Sequence, residues 1–181
     1  MDEILPSTAV LDRREQDASR YRAARQAWEQ DPKYTGRSLA RHLVEDVHEH
    51  FRKSFRQVLA MVDDRRAEGK SVLVSAEIVN ALRWRLRGLL NHHNGEDQHF
   101  FPTIRQRFPE AVPEVDILER DHQRLHPLED VVLGSDGTHP SDEIRLAALY
   151  EFNAFLNDHL NREEMLVVPL MLANSNRGDW W

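Results

Sequence analysis

The sequence predicts an all-α protein, an up-down-up-down four-helix bundle preceded by an N-terminal helical arm. Three observations predict it. Long stretches carry apolar residues every three to four positions, the period of a helix with one buried face. No stretch suggests a sheet through alternation with period two. Glycine is scarce, seven in 181 residues, and most glycines sit outside the periodic stretches. A chain of this length that is 40% hydrophobic and 30% charged can bury the core of one domain.

The elements follow in order. Residues 1–36 form the arm, in which "LDRREQDASRYRAARQAWEQ" predicts a charged helix with Tyr21, Ala24 and Trp28 on one face. "DPKYTG" closes it. The bundle spans residues 37–173. Its first long helix runs from about Ser38 to Arg66 on a stripe that includes Leu43, Val47, Phe51, Phe55, Val58 and Val62, with Gly69 as a stop signal. The second starts near Ser75, a good N-cap, carries Ile78, Leu82, Leu86 and Leu89, and ends by Phe108 before Pro109. The third begins near Pro113, a favoured first-turn residue, carries Val115, Leu118, Leu125 and Leu128, and ends near "GSDG". The fourth begins at "PSDE", with Ser141 as the cap and two acids in the first turn, and runs through Leu149, Phe152 and Phe155 to Ala173. Residues 174–181 are a tail ending in Trp180 and Trp181. Short connections between amphipathic helices set the up-down order. Phe51, Phe55, Trp84, Leu89, Leu125 and Phe155 are expected in the core.

Composition narrows the function. A formal net charge of −7 argues against nucleic-acid binding. No apolar run approaches the roughly 18 residues of a membrane span. The N-terminus lacks the basic and apolar regions of a signal peptide, so a cytoplasmic protein is expected. There is no cysteine, which excludes disulfides, thiolate metal ligands and cysteine nucleophiles.

Histidine stands out, with ten residues, and an internal repeat sorts them. His92-x3-Glu96-x5-Pro102 on the second helix matches His159-x3-Glu163-x5-Pro169 on the fourth. Glu45-x2-His48 on the first matches Glu119-x2-His122 on the third. Only His48, His92, His122 and His159 recur, one per helix. Residues four apart on a helix lie one above the other, with Cβ atoms roughly 5–6 Å apart. A His-x3-Glu pair therefore aims an imidazole nitrogen and a carboxylate oxygen at one place. Four such helices converge four histidines and two glutamates on the core, where isolated charges are costly and metal ions would neutralise them. Imidazole and carboxylate suit iron, manganese or zinc. The set is too large for one tetrahedral zinc, and two glutamates on facing helices can bridge two metals. His126 lies four residues after His122 and can chelate with it, but its repeat partner is Arg52. His42, His50, His93, His99 and His139 are expected as exposed background, although Glu96-x2-His99 keeps His99 a candidate. Glu45 and Glu119 are expected on the helix surface or behind a histidine, and Asp97 behind one. Pro102 and Pro169 are expected to kink their helices rather than end them.

At these residues the chain resembles the hemerythrin family, specifically the hemerythrin-like cation-binding domains named for their His-His-Glu repeat. "EDVHEHF", "LLNHHNGEDQHFFP", "LERDHQRLH" and "FLNDHLNREEMLVVP" carry the resemblance, which covers Ser38 to Ala173. It implies a bundle enclosing two iron ions, oxo- or hydroxo-bridged, held by five histidines and two bridging carboxylates. Carried over by motif, these are His48, His92 with Glu96, His122 with His126, and His159 with Glu163. Glu164 is also present, but it aligns with Asp97, and the repeat selects Glu163. The implied function is to bind or sense dioxygen or a related small molecule such as nitric oxide or peroxide. The alternatives are a di-iron redox enzyme, which Glu45 or Glu119 in the ligand set would favour, and iron storage or structural metal binding. The implied partner is a small diatomic ligand or peroxide, not nucleic acid or a membrane. The aromatic arm and tail are a candidate homodimer or partner contact.

Overall fold

A computed structural model describes residues 8–70, 75–134 and 141–174, with side chains from residue 15 onward. Every regular element among the described residues is helical. His139 and the tail with Trp180 and Trp181 lie outside the described residues.

Helix α1 (Thr8–Gln30) is the arm. Its Tyr21 and Trp28 are buried, and Ala24 packs beside them. The first long rod covers residues 39–67. It is α2 (Leu39–Arg41), a π-helical segment His42–His48, and α3 (Glu49–Ala67). Ser38 caps its start, its hydroxyl accepting from the Arg41 N–H at 3.2 Å. The second rod is α4 (Ala76–Gly95), a π-helical segment Glu96–Phe100, and α5 (Phe101–Arg107). A 3₁₀ turn, Pro109–Ala111, leads into α6 (Val112–Leu133), which stops at Gly134 with φ 65°, a left-handed position that suits glycine. Helix α7 (Asp142–Ala173) starts from Ser141, whose hydroxyl accepts from the Ile144 N–H at 3.4 Å.

Sequence boundaries and structure agree within a residue or two at most ends, because caps and stop signals act locally. The π segments were not legible. In them the Glu49 and Phe101 N–H groups reach back five residues, to the carbonyls of Val44 and Glu96. Pro102 follows in the first turn of α5, where its missing N–H costs least, and the rod continues helical past it. Helix α7 likewise continues past Pro169.

Two apolar clusters form the core. One joins Phe55, Val58, Leu82, Leu89, Leu125 and Phe152 with their neighbours from α3, α4, α6 and α7. Phe55 and Phe152 are fully buried with ring centroids 5.1 Å apart, and each burial is worth about 1.5–3 kcal/mol. The other joins Tyr21 and Trp28 of α1 with Val44, Phe101, Ile104, Leu118, Val167 and Val168. Along each rod the clusters are separated by a short polar stretch: His48, then His92 to Glu96, then Asp121 and His122, then Glu163 and Glu164. The expected core residue Trp84 is instead 76% exposed. It precedes Arg85 and Leu86, and only Leu86 of the three reaches the buried stripe set by Leu82 and Leu89.

Candidate metal centre

The polar stretches converge on one buried layer. Two groups of side chains bring one donor atom each to within 4.8 Å of one another. The first is His48, His92, Glu96 and Glu163; the second is His93, Glu96, His122 and His159. Glu96 belongs to both. In the first group His92 Nε2 lies 2.9 Å from Glu96 Oε1 and 3.3 Å from His48 Nε2, which lies 3.3 Å from Glu163 Oε2. In the second, His122 Nε2 lies 3.1 Å from His159 Nε2 and 3.6 Å from Glu96 Oε2. Glu163 Oε2 is also 4.0 Å from His159 Nε2, so it faces both groups.

The π segments bear on this geometry. His48 ends the first and Glu96 begins the second. A π turn carries one extra residue and so resets which side chains face inward, a feature found often at functional sites.

Carboxylates behind the histidines orient the rings. His48 Nδ1 meets Glu164 Oε1 at 2.9 Å, and His122 Nδ1 meets Asp97 Oδ1 at 2.9 Å. His159 Nδ1 lies 3.5 Å from Asp121 Oδ2, which Arg162 also holds at 2.5 Å. An ionised carboxylate only accepts, so at His48 and His122 the proton sits on Nδ1 and the Nε2 lone pair faces the cluster, whereas His159 Nδ1 makes no hydrogen bond of good geometry. Burial works against charge on Glu164, but its bond from His48 and the charge of Arg52 hold its carboxyl below the usual range. For Asp121 burial is likewise outweighed, by His159 and Arg162.

The cluster itself is unfavourable without a cation. All four carboxylate oxygens of Glu96 and Glu163 are buried with no hydrogen-bond partner, as are both ring nitrogens of His93. Orphaned buried acceptors of this kind are rare and costly. Burial pushes the Glu96 carboxyl up to about 8. Burial and then the nearby charge of Glu96 push Glu163 up to about 8. Burial lowers His92 and His122, lowers His93 well below its ordinary value, and takes His159 down to about 3. Neutral imidazoles aimed at two acids are the donor set a divalent cation requires, and a cation would ionise both acids. The residues fit a bound metal, and Glu96 is common to both donor groups.

Six of the seven residues singled out from sequence come together: His48, His92, Glu96, His122, His159 and Glu163. His126 is in neither group. It is partly exposed and faces Glu129, 3.8 Å away, one helical turn from His122. His93, expected as exposed background, is 1% exposed and stacks on His122 with centroids 3.9 Å apart. The repeat held the signal: His93 aligns with Leu160, which is fully buried, so its position faces inward on both helices. His42, His50 and His99 are exposed as expected. Glu45 pairs with Arg41 and Glu119 with Arg105, each at 2.7 Å, outside the cluster. Asp121 and Tyr21 were missed. Tyr21 is too distant in sequence to signal its role, whereas Asp121 adjoins His122 and carries no repeat signature.

These placements make a direct comparison of two histidines. His93→Ala is expected to lower the metal content of the purified protein, and His126→Ala to leave it unchanged, as read by elemental analysis. The reverse pattern would return the third helix's second histidine to the site.

Residues 39–171 match the family model of the hemerythrin HHE cation-binding domain. No curated protein and no solved structure matches the chain.

Proposed function

This chain belongs to the hemerythrin HHE cation-binding domain family, and from that premise we propose that it holds two iron ions and uses them to bind or sense dioxygen, nitric oxide or peroxide. The observation that carries the reading is the pair of buried donor groups that share Glu96. The family's up-down-up-down bundle is part of the proposal. It is supported by the order in which the rods meet the two apolar clusters, which reverses from each rod to the next.

Two ferrous ions would supply the two electrons that dioxygen takes up. The chain's own residues do the rest. His48 and His92 would hold one ion, His93, His122 and His159 the other, and Glu96 both, with Glu163 facing each. Seven residues do not fill two six-coordinate shells, so a small ligand has room to enter. Glu164 and Asp97 keep protons on the outer ring nitrogens of His48 and His122, which leaves the inner ones free to donate. Phe101 lies against His122 at 5.6 Å and Phe51 against His92 at 5.1 Å, and both exclude water. With Glu45 and Glu119 tied up in surface ion pairs, the cluster is histidine-rich, which favours reversible binding over oxidative catalysis.

The test is to admit oxygen to the anaerobic ferrous protein and follow its absorption. A visible band that appears with oxygen and fades when oxygen is removed supports binding or sensing. Irreversible oxidation with consumption of peroxide would assign a redox enzyme instead. A colourless protein that retains zinc and takes up no iron overturns the reading.

A further inference from the structure

We propose that Tyr21, on a helix outside the family-matching residues, is a positioning residue for the metal centre, acting through Glu164 on His48. This inference rests on the reading of the cluster as an iron site.

Glu164 is fully buried and accepts from three donors. Its Oε1 takes His48 Nδ1 at 2.9 Å and Arg52 Nη1 at 2.7 Å. Its Oε2 takes the Tyr21 hydroxyl. Tyr21 comes from α1, whereas residues 39–171 carry the family match. The arm therefore does more than cover apolar surface: it completes the hydrogen bonding of the carboxylate that orients an inward-facing histidine.

The chemistry follows from competition for one negative charge. Tyr21 and Arg52 draw charge from Glu164, which leaves less to polarise the His48 N–H. Burial makes each of these bonds electrostatically strong, because little solvent screens them. Asp97, which backs His122, is about a third exposed, so water damps changes there. Removing the Tyr21 hydroxyl concentrates the charge of Glu164 on His48. The ring becomes a stronger donor, and a stronger donor favours the ferric ion. Replacing Glu164 by its amide removes the charge and does the opposite.

The hydroxyl can be removed without loosening the arm. Tyr21 packs edge-on to Trp28 at 6.1 Å, and Trp28 and Tyr34 lie in the cluster with Val167 and Val168. Lys33 Nζ also donates to the Leu172 carbonyl at 2.9 Å. Phenylalanine at position 21 keeps the ring and these contacts.

The experiment measures the midpoint potential of the full-length, iron-loaded protein by spectroelectrochemistry, beside its iron content. Tyr21→Phe is expected to favour ferric over ferrous iron about tenfold, a potential about 59 mV lower for a one-electron step. Glu164→Gln is expected to raise the potential. Trp28→Phe disturbs the arm but spares the hydroxyl, and is expected to leave the potential where it is. Opposite signs for Tyr21→Phe and Glu164→Gln distinguish positioning from general loosening, which would move both one way. An unchanged potential in Tyr21→Phe, shifts of one sign in both variants, or an equal shift in Trp28→Phe overturns the inference while the iron site stands. A wild-type protein that binds no iron overturns the reading beneath it.

Discussion

Glu96→Ala is expected to strip metal from both positions, not one. Glu96 belongs to both donor groups, and its two oxygens point in different directions. Oε1 lies 2.9 Å from His92 and Oε2 lies 3.6 Å from His122. Changing a group that merely supports a ligand costs about 10–100-fold in affinity, so losing a carboxylate that serves two ions should cost more than about 100-fold at each. Alanine also removes half of the negative charge that the unpartnered carboxylates bring to the layer. The folded helices should survive in the metal-free state, because alanine is a good helix former and the change removes a carboxyl whose ionisation burial opposes. Elemental analysis, with circular dichroism as the folding control, gives the result. A folded Glu96→Ala protein that still carries two ions per chain would sink the shared role of this residue.

The metal-free protein is expected to be most stable near pH 6.5 and to weaken on either side. Glu96 and Glu163 ordinarily ionise near 4.5 but are pushed to about 8 when folded. Their contribution is full below about 4.5 and is lost as pH rises through 8, because only the unfolded chain releases the protons early. Glu129, raised by burial to about 7, adds to the same loss. The histidines act in the other direction. His92, His93, His122 and His159 ordinarily protonate near 6.5 and are held lower in the fold. Their contribution is present above 6.5 and is lost as pH falls, since the unfolded chain takes up protons that the folded one refuses. Just below pH 6.5 the four histidines outnumber the three raised acids; above 7 only the acids still titrate. At about 1.4 kcal/mol per pH unit for each proton, the metal-free chain should lose about 2 kcal/mol or more between pH 6.5 and 8. The loaded protein should escape this loss, because a cation keeps both carboxylates ionised. The stabilisation contributed by metal therefore widens as pH rises. Urea midpoints of the metal-free and loaded forms at pH 5.5, 6.5 and 8 would show it. Metal-free stability that is flat or rising from 6.5 to 8 would mean that the two carboxyls are not buried neutral together.

The helices and most of the site were legible because their causes are local. Apolar residues at helical period, the serine cap at position 141 and the glycine stop at 69 act within a turn or two of chain, whereas Ser75, expected as a cap, starts its helix without a side-chain capping bond. The pairs His92–Glu96 and His159–Glu163 are legible for the same reason, since a spacing of four puts two side chains on one helix face in any helix. The repeat then singled out His48 and His122 as the matching histidines of the other two helices.

What remained depended on helix rotation and on contacts between distant segments. His93 and His126 each lie within a turn of an inward-facing histidine, and spacing alone cannot say which rotates into the layer. The structure turns His93 in against His122 and leaves His126 beside Glu129. A five-residue reach in two backbones, at Glu49 and Phe101, is invisible to a periodicity of 3.6. Tyr21 and Glu164 are 143 residues apart, and only the packing of α1 against α7 brings the hydroxyl to the carboxylate. The sequence by itself determined which chemical groups each helix offers, because an i to i+4 relation is a property of one helix. The tertiary structure alone decided which of them meet and what backs them, because rotation and packing are set by the whole core at once.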